Sequence, residues 1–223
     1  EELWAYTALY LKEEIQNEAL ARKVTQFAEF LDLMAISNGE EISYQSLASD
    51  CGVSANTIKN YIQILEDTLV AFRLKAFTKT RKRKAVSRSK LYLFDIGVTN
   101  SLSNRGEILM DSELFGKAFE HFILLEVRAY LSYARKGIGM YYWRSTSMFE
   151  ADLILNNHLA VEIKSTTIVQ DKHLKGIRAL KEEGNIRSFA VVSRDRHERK
   201  TRDDITIFPW KRFLEKLWKG EII

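Results

Sequence analysis

The stretch Glu150-Ala-Asp-Leu-Ile-Leu-Asn-Asn-His-Leu-Ala-Val-Glu-Ile-Lys164 decides the fold of the second half of this chain. Two apolar runs flank a pair of asparagines, a pattern that predicts two neighbouring strands joined by a turn. The strands carry Asp152, Glu162 and Lys164. Two carboxylates beside a lysine suit metal-assisted phosphodiester hydrolysis, in which the carboxylates hold Mg²⁺ or Mn²⁺ and the lysine orients or helps to deprotonate the attacking water.

The register of these strands is a condition of the metal hypothesis. If Asn156 and the next residue formed a two-residue turn, Asp152 would pair with Val161 and point to the face opposite Glu162. The hypothesis therefore requires an odd register, through a bulge or through a three-residue loop that includes His158. The alternative is that the acids and the lysine are ordinary polar positions on an exposed strand face.

A third acid, Glu120, lies in the apolar pattern of a long helix predicted from Asp111 to Leu131. A lone charge in that setting is expensive unless it meets a cation or a metal, so Glu120 is a further candidate ligand. The remaining patterns of this half predict three strands and a second helix. Their ranges are Met140 to Arg144, Phe189 to Val192 and Ile205 to Phe208 for the strands, and His173 to Glu183 for the helix. Alternating strands and helices predict a domain of α/β type.

The first half of the chain predicts helices. Apolar residues recur at helical spacing from Leu3 to Tyr10 and from Val24 to Met34. Two shorter helices follow, with Ser43 and Ser54 placed as their N-caps and Gly52 in the turn between them. This arrangement is typical of a helix-turn-helix. Its second helix is expected to bury Ile58, Ile62, Leu65 and Leu69, and to expose Asn56, Thr57, Lys59, Asn60 and Gln63.

Two extended runs, Val70 to Phe77 and Lys90 to Phe94, follow the helices and predict a hairpin with a basic tip. The segment from Thr78 to Lys90 holds seven basic residues and no acid, and without them the chain would have 27 basic against 30 acidic residues. A helix-turn-helix followed by a basic hairpin is the layout of a winged helix that binds DNA. The DNA contacts would come from the exposed helix face and from Arg81, Lys82, Arg83 and Lys84. The alternative is a winged helix that contacts only proteins.

Composition excludes several classes of protein. With 223 residues, 46% of them hydrophobic, and one proline, the chain is neither disordered nor collagen-like. The single cysteine, Cys51, cannot form an internal disulfide and fits a reducing cytoplasm. Membrane-spanning runs, zinc-hydrolase histidine pairs, nucleophile elbows and phosphate-binding loops are absent from the sequence, so we expect no membrane segment and no ATP site in this chain. The chain starts without methionine, which suggests a fragment of a longer protein.

Seven stretches together resemble a known family: Ser43–Ala48, Val53–Ile58, Ser89–Gly97, Leu114–Glu120, Tyr142–Arg144, Glu150–Asp152 and Val161–Ser165. They resemble, over nearly the whole chain, the C-terminal region of prokaryotic AAA-type ATPases with the domain of unknown function 4143, a winged helix joined to a restriction-endonuclease-like domain. The resemblance implies that Glu120, Asp152, Glu162 and Lys164 are counterparts of the PD-(D/E)xK nuclease residues, with Arg144 and Glu150 nearby. It also implies a preceding ATPase domain that this chain lacks.

The sequence therefore predicts a mixed α/β protein with N-terminal helices and a winged helix in residues 1–100, and a restriction-endonuclease-like domain in residues 101–223. The leading hypothesis is a DNA-associated module of an AAA-type ATPase, with a Mg²⁺- or Mn²⁺-dependent nuclease site. The alternative is a regulatory module that binds DNA or protein and retains only the fold of a nuclease. A sequence-specific repressor is a third possibility. The sequence leaves open whether the site turns over, whether the nucleic acid is DNA or RNA, and how many chains assemble.

Overall fold

The computed structural model describes residues 24–223, so the helix predicted from Leu3 to Tyr10 lies outside the described residues. The chain divides into two compact units. Of the described residues, the first unit contains 24–73 together with Arg88–Ile108, and the second contains Leu74–Ser87 and Leu109–Ile223. The sequence predicted that the basic segment is part of the winged helix. Residues 78–87, which make up most of that segment, belong instead to the second unit.

The first unit is mainly helical. Its helices are α1 (Val24–Ile36), α2 (Tyr44–Asp50), α3 (Ala55–Asp67) and α4 (Ile96–Leu102). Strand β2 (Lys90–Leu93) lies next to β1 (Ala71–Ala76), a strand whose residues from Leu74 onward belong to the second unit.

The turn between α2 and α3 is built from the residues that the sequence indicated. The side-chain oxygens of Ser43 and Ser54 accept hydrogen bonds from the backbone N–H groups of Ser46 and Thr57 and cap the two helices. Gly52 has a φ of 59°, the left-handed conformation that glycine adopts most readily.

Helix α3 packs its apolar face into the core of the first unit. Ile58, Ile62 and Leu65 are fully buried, and they pack with Phe27 and Phe30 of α1. The prediction that Leu69 shares this buried face is wrong. Leu69 lies beyond the end of α3 with a φ of 61° and is 70% exposed, because the left-handed turn directs its side chain away from the helix face.

The second unit combines a mixed sheet with helices. Its further strands are β3 (Met140–Arg144), β4 (Glu150–Leu155), β5 (Leu159–Lys164), β6 (Ser188–Ser193), β7 (Arg199–Lys200) and β8 (Thr206–Pro209). Its helices are α5 (Glu113–Tyr133), α6 (Lys175–Lys181) and α7 (Trp210–Trp218), and a short 3₁₀ helix (Asp171–Leu174) precedes α6. The five strands predicted here are present, whereas β7 and α7 were not predicted.

The strand order in the second unit is β1-β3-β4-β5-β6-β8-β7. Strands β5, β6 and β8 are parallel to one another, and β4 is antiparallel to both β3 and β5. Helix α5 contacts β5, while α6 contacts β4 and β5 and packs Ile177 and Leu180 with the buried Ile154 and Ala160. Within residues 24–223, no helix is long and apolar enough to cross a membrane.

Candidate functional site

The turn between β4 and β5 is a three-residue loop. Leu155 pairs with Leu159 and Leu153 pairs with Val161, so three residues lie between the strands. Asn156 has a φ of 48°, and the backbone N–H of His158 donates to the carbonyl of Leu155. This is the odd register that the metal hypothesis requires, and continuing it by one residue sets Asp152 opposite Glu162.

Strand β4 has a second irregularity beside Asp152. On the β3 side, Tyr141 pairs with Ile154 but Trp143 pairs with Ala151, so one residue of β3 faces two of β4. Such a bulge bends the strand and redirects a side chain. Here it lies at Asp152, the residue whose direction decides whether the two acids meet.

Asp152, Glu162 and Lys164 meet at the carboxyl end of β5. The Lys164 Nζ lies 2.7 Å from Glu162 Oε1 and 3.4 Å from Asp152 Oδ2. Asp152 Oδ2 also accepts a hydrogen bond of 2.6 Å from the backbone N–H of Ile163, so this carboxylate is tied to β5 itself. Both acids are buried, with 5% and 6% of their surface exposed. We call these three side chains the carboxylate–lysine centre.

The carboxylate–lysine centre has more negative than positive charge when both acids are ionised. Burial, and then the neighbouring Asp152, raise the pKa of Glu162 well above its ordinary value of 4.5, although Lys164 acts to lower it. Burial alone would lower the pKa of Lys164, but the two carboxylates outweigh it and raise that pKa above 10.5. Among the described residues, no donor reaches Glu162 Oε2. An uncompensated carboxylate oxygen therefore lies inside the centre.

Other predicted residues surround the centre. Glu120, on α5, is close enough for its charge to contribute to the raised pKa of Lys164. Glu150 of β4 lies opposite Arg144 of β3 in the strand register. The charge of Glu150 contributes to the raised pKa of Glu162. A guanidinium nitrogen of Arg144 lies 3.5 Å from the sulfur of Met148.

The acids do not form a cluster of three ligands. Across residues 24–223, no group of three or more histidine, cysteine, aspartate or glutamate side chains is arranged to hold a metal ion. Two carboxylates nevertheless fit Mg²⁺, which is commonly bound through one or two carboxylates and completes its coordination with water and substrate phosphate. Of the three predicted ligands, the structure brings Asp152 and Glu162 together and leaves Glu120 outside that pair.

Sequence reasoning missed His173, which lies near the centre. Its Nδ1 accepts a hydrogen bond of 3.0 Å from the backbone N–H of Gln170, at the start of the 3₁₀ helix. Burial, followed by the charges of Lys172 and Lys164, lowers the pKa of His173 below 6.5. No sequence pattern identified this residue, because only the fold brings it close enough to Lys164 for that charge to act on it.

The predicted DNA-contacting face of α3 is largely exposed. Asn56, Lys59, Asn60 and Gln63 are exposed, and Thr57 is half-buried because its hydroxyl lies 2.9 Å from the capping hydroxyl of Ser54. Gln63 donates to Asp67 on the same helix, and Lys59 Nζ lies 5.8 Å from the ring centroid of Tyr44. The five predicted residues therefore form a polar surface, and none of the five is acidic.

The basic segment is anchored to the second unit through Glu183. The backbone N–H groups of Arg81 and Lys82 both donate to Glu183 Oε2 at 2.7 Å, and Arg83 donates to Glu183 Oε1 at 3.3 Å. The Nη2 of Arg83 pairs with Glu182, and the Nη1 that donates to Glu183 also donates to the carbonyl of Ala179.

The four predicted phosphate contacts of the basic segment therefore differ in their surroundings. Arg81, Lys82 and Lys84 are exposed, whereas Arg83 is half-buried among acceptors of its own chain. The segment from Thr78 to Ser87 contains no regular strand, and a single bridge joins Ala85 to Ser145.

Comparison with known proteins agrees in part with the family resemblance. Residues 115–213 match the family model of the domain of unknown function DUF4143. This match supports the expected DUF4143 domain in residues 115–213, whereas residues 2–108 match a different family model, the domain of unknown function DUF8612. The resemblance suggested similarity over nearly the whole chain, whereas the match to DUF4143 covers residues 115–213.

One similar protein is the uncharacterized protein MJ1637 of Methanocaldococcus jannaschii, which is 25% identical over 226 residues. The alignment covers 96% of this chain but only 45% of that relative, so the chain spans less than half its length. No solved structure matches the chain.

Proposed function

We propose that this chain is a DNA-associated module whose second unit hydrolyses phosphodiester bonds with Mg²⁺ or Mn²⁺. The observation that carries the proposal is the composition of the carboxylate–lysine centre: two buried acids share one ammonium group, and Glu162 Oε2 meets no donor among the described residues. A second positive charge at this point would compensate the excess negative charge.

Asp152 and Glu162 would hold the metal ion. When bound, a divalent cation stabilises negative charge on a phosphate and lowers the pKa of a bound water. Asp152 is suited to a fixed position, because its hydrogen bond from the Ile163 N–H holds the carboxylate against β5. The chain thus fixes one ligand through the backbone and places the second on the adjacent strand.

Lys164 supplies a positive charge and not a base. Its raised pKa keeps the ammonium protonated at neutral pH, so it donates hydrogen bonds and accepts no proton. Of the two roles expected from the sequence, orienting the attacking water is the one that this electrostatic setting favours.

The finer fold assignments belong to the same proposal. Capped helices α2 and α3, joined through Gly52 and followed by β1 and β2, support a winged helix in the first unit. The mixed sheet with a carboxylate–lysine centre supports a restriction-endonuclease-like second unit. Association with an AAA-type ATPase rests on the family resemblance alone.

The test of the metal site is a calorimetric Mn²⁺ titration of the chain and of its Asp152→Asn and Glu162→Gln variants. Both replacements keep the size of the side chain and remove its charge, so we expect each to abolish binding that the unchanged chain shows. Glu113→Gln is the matched control, because Glu113 is on the exposed start of α5 with 88% of its side chain accessible. Cleavage of plasmid DNA in Mn²⁺, measured in parallel, should be lost with binding.

Two results would contradict the proposal. One is the absence of carboxylate-dependent Mn²⁺ binding at millimolar metal. The other is DNA cleavage that persists in Asp152→Asn at the rate of the unchanged chain, since a contaminating nuclease would then account for the activity.

A non-catalytic module that binds DNA or protein is the second candidate function. It is favoured by the observation that, among residues 24–223, no three histidine, cysteine, aspartate or glutamate side chains are arranged to hold a metal ion. For this candidate the basic segment would carry the phosphate contacts. A variant with Arg81, Lys82 and Lys84 replaced by alanine should then bind DNA more weakly at every sequence and with a flatter salt dependence. Arg83 is left unchanged, because its contacts with Glu182 and Glu183 hold the segment in place. Unaltered DNA binding in this variant would favour a protein partner.

A further inference from the structure

The carboxyl ends of three parallel strands lie side by side in register. Lys164 of β5 pairs with Ser193 of β6, and Ser193 pairs with Pro209 of β8. Because the strands are parallel, the residues that follow them leave the sheet at the edge where the carboxylate–lysine centre lies. Ligands of open α/β sheets bind outside this edge.

Arg194 is the first residue beyond β6 and is held beside the centre. Its backbone N–H donates to the carbonyl of Thr166, and its Nη1 lies 3.2 Å from the carbonyl of Ser165, the residue after Lys164. Its guanidinium carbon lies 5.2 Å from the ring centroid of Phe115 on α5. Arg194 also forms an ion pair with Asp111, and 18% of its side chain is exposed.

A groove continues from Arg194 along the same edge. It lies between residues 194–198, which follow β6, and residues 209–212, at the junction of β8 and α7, and it has a volume of about 470 Å³. We call it the edge groove. Its basic residues are Arg194, Arg196, Lys211 and Arg212, with His197 as a further nitrogen-bearing side chain.

The acids of the edge groove already have partners. Asp195 pairs with Arg199 at 3.1 Å and accepts the backbone N–H of Val169. Glu198 pairs with Lys216 at 3.0 Å. Glu215 pairs with Arg212 at 3.3 Å.

Two cations of the groove remain uncompensated. Arg196 and Lys211 are exposed, and among the described residues no acid lies within ion-pair distance of either. Lys211 Nζ lies 5.4 Å from the ring centroid of Trp210, a contact that leaves its charge in place. The groove therefore presents uncompensated positive charge at the edge of the sheet where β5 ends, and Arg194 of the groove contacts the residue after Lys164.

We infer that the edge groove binds the sugar-phosphate backbone of the nucleic acid that the carboxylate–lysine centre acts on, with Arg196 and Lys211 contacting phosphates. The inference rests on the proposed function, and it adds a binding surface that neither α3 nor the basic segment provides. Arg194 lines the groove next to Ser165, the residue that follows Lys164.

The test compares two double variants of the full chain that remove the same kinds of charge. Arg196→Ala/Lys211→Ala neutralises the edge groove. Lys136→Ala/Arg187→Ala is the matched control, because these exposed residues precede β3 and β6 and so lie at the opposite edge of the sheet. Binding of a short fluorescein-labelled DNA duplex, and of one of its strands, is measured by fluorescence anisotropy in EDTA over a range of salt concentrations.

Loss of two phosphate contacts should reduce the slope of log affinity against log salt by about 1.8 for the duplex or about 1.4 for the single strand. The control variant should keep the slope of the unchanged chain. Equal slopes in all three proteins, an equal reduction in both variants, or no binding of either probe by the unchanged chain would each overturn the inference.

The outcomes separate this inference from the proposed function. Metal binding by Asp152 and Glu162 is measured without nucleic acid, whereas the anisotropy assay contains no metal. If the edge-groove variant changes the salt slope but the chain does not bind Mn²⁺, the binding surface is supported and the nuclease site is contradicted. If the chain binds Mn²⁺ but the variant leaves the salt slope unchanged, the nuclease site is supported and the binding surface is contradicted.

Discussion

Replacement of Glu183 by glutamine tests how the basic segment is held. The carboxylate is buried, and it accepts three hydrogen bonds, from the backbone N–H groups of Arg81 and Lys82 and from the guanidinium of Arg83. Glu183→Gln keeps the side-chain volume and one oxygen. That oxygen can still accept the two backbone N–H groups, but the new amide group turns a donor toward Arg83.

The magnitude follows from the loss of charge. A hydrogen bond to a charged group contributes about 1.5–3 kcal/mol, against about 0.5–1.5 kcal/mol for a neutral one. Two bonds that each weaken by about 1–1.5 kcal/mol and one charged bond of about 1.5–3 kcal/mol that is lost together predict a decrease of about 3.5–6 kcal/mol in the free energy of unfolding at neutral pH. Glu182→Gln is the control. Glu182 also pairs with Arg83, but 55% of its side chain is exposed, so solvent screens the pair and we expect a much smaller loss of stability than for Glu183→Gln.

The pH dependence of unfolding tests independently whether the charge of Glu183 stabilises the folded state. Burial alone would raise the pKa of Glu183, but the backbone hydrogen bonds from Lys82 and Arg81, with Arg83, outweigh it and lower the pKa below 4.5. A carboxyl group with a lowered pKa in the folded state contributes stability above its unfolded pKa, and this contribution is lost as the pH falls through the folded value. The difference between the unchanged chain and Glu183→Gln should therefore be full at pH 7 and shrink below about pH 4.5.

The assay is denaturant unfolding followed by tryptophan fluorescence at several pH values. A loss of stability that is as large at pH 3 as at pH 7 would refute the electrostatic account and point to disturbed packing. A loss no larger than that of Glu182→Gln would show that the backbone N–H groups do not depend on the charge.

Two further predictions concern the carboxylate–lysine centre and the helix beside it. Glu162→Gln should raise the free energy of unfolding at pH 8, because it removes a buried acid whose pKa lies well above 4.5 in the folded state. This gain should disappear as the pH falls to 4.5. A variant that is less stable than the unchanged chain at pH 8 would count against the excess negative charge. Gly176→Ala should destabilise the protein by about 1–3 kcal/mol in the same assay, since the added Cβ would lie 1.8 Å from the carbonyl oxygen of Glu150. Gly106→Ala, which meets nothing within 4 Å, is its control, and equal stability of the two alanine variants would contradict close packing of α6 on β4.

Local patterns predicted the elements that local interactions form. Ser43 and Ser54 cap their helices as expected, and Gly52 adopts a positive φ, because capping and turn geometry depend on residues a few positions apart. Leu69 was misplaced because the helical pattern was continued beyond the end of α3. Helix α7 was missed although the spacing of Trp210, Phe213 and Leu217 is helical and Pro209 precedes it.

Contacts between distant parts of the chain were beyond sequence reasoning. The hydrogen bond from Arg81 to Glu183 joins residues 102 positions apart. The bulge opposite Tyr142 arises from pairing between β3 and β4, which depends on the partner strand and not on β4 alone. For the carboxylate–lysine centre, the sequence predicted the residue types and made an odd register a condition of the hypothesis, but it predicted neither which register forms nor the bond from Ile163 that fixes Asp152.

The two irregularities of β4 have one shared consequence for the centre. A regular two-residue hairpin would place Asp152 and Glu162 on opposite faces and spare the protein the burial of two like charges. The three-residue loop brings the acids to one face, and the bulge lies at Asp152 itself. In the resulting centre two like charges are buried together, and Glu162 Oε2 has no donor among the described residues. An arrangement that lowers stability in this way is expected where a ligand supplies the missing charge, which is why we place the metal site here and expect Glu162→Gln to gain stability as it loses Mn²⁺.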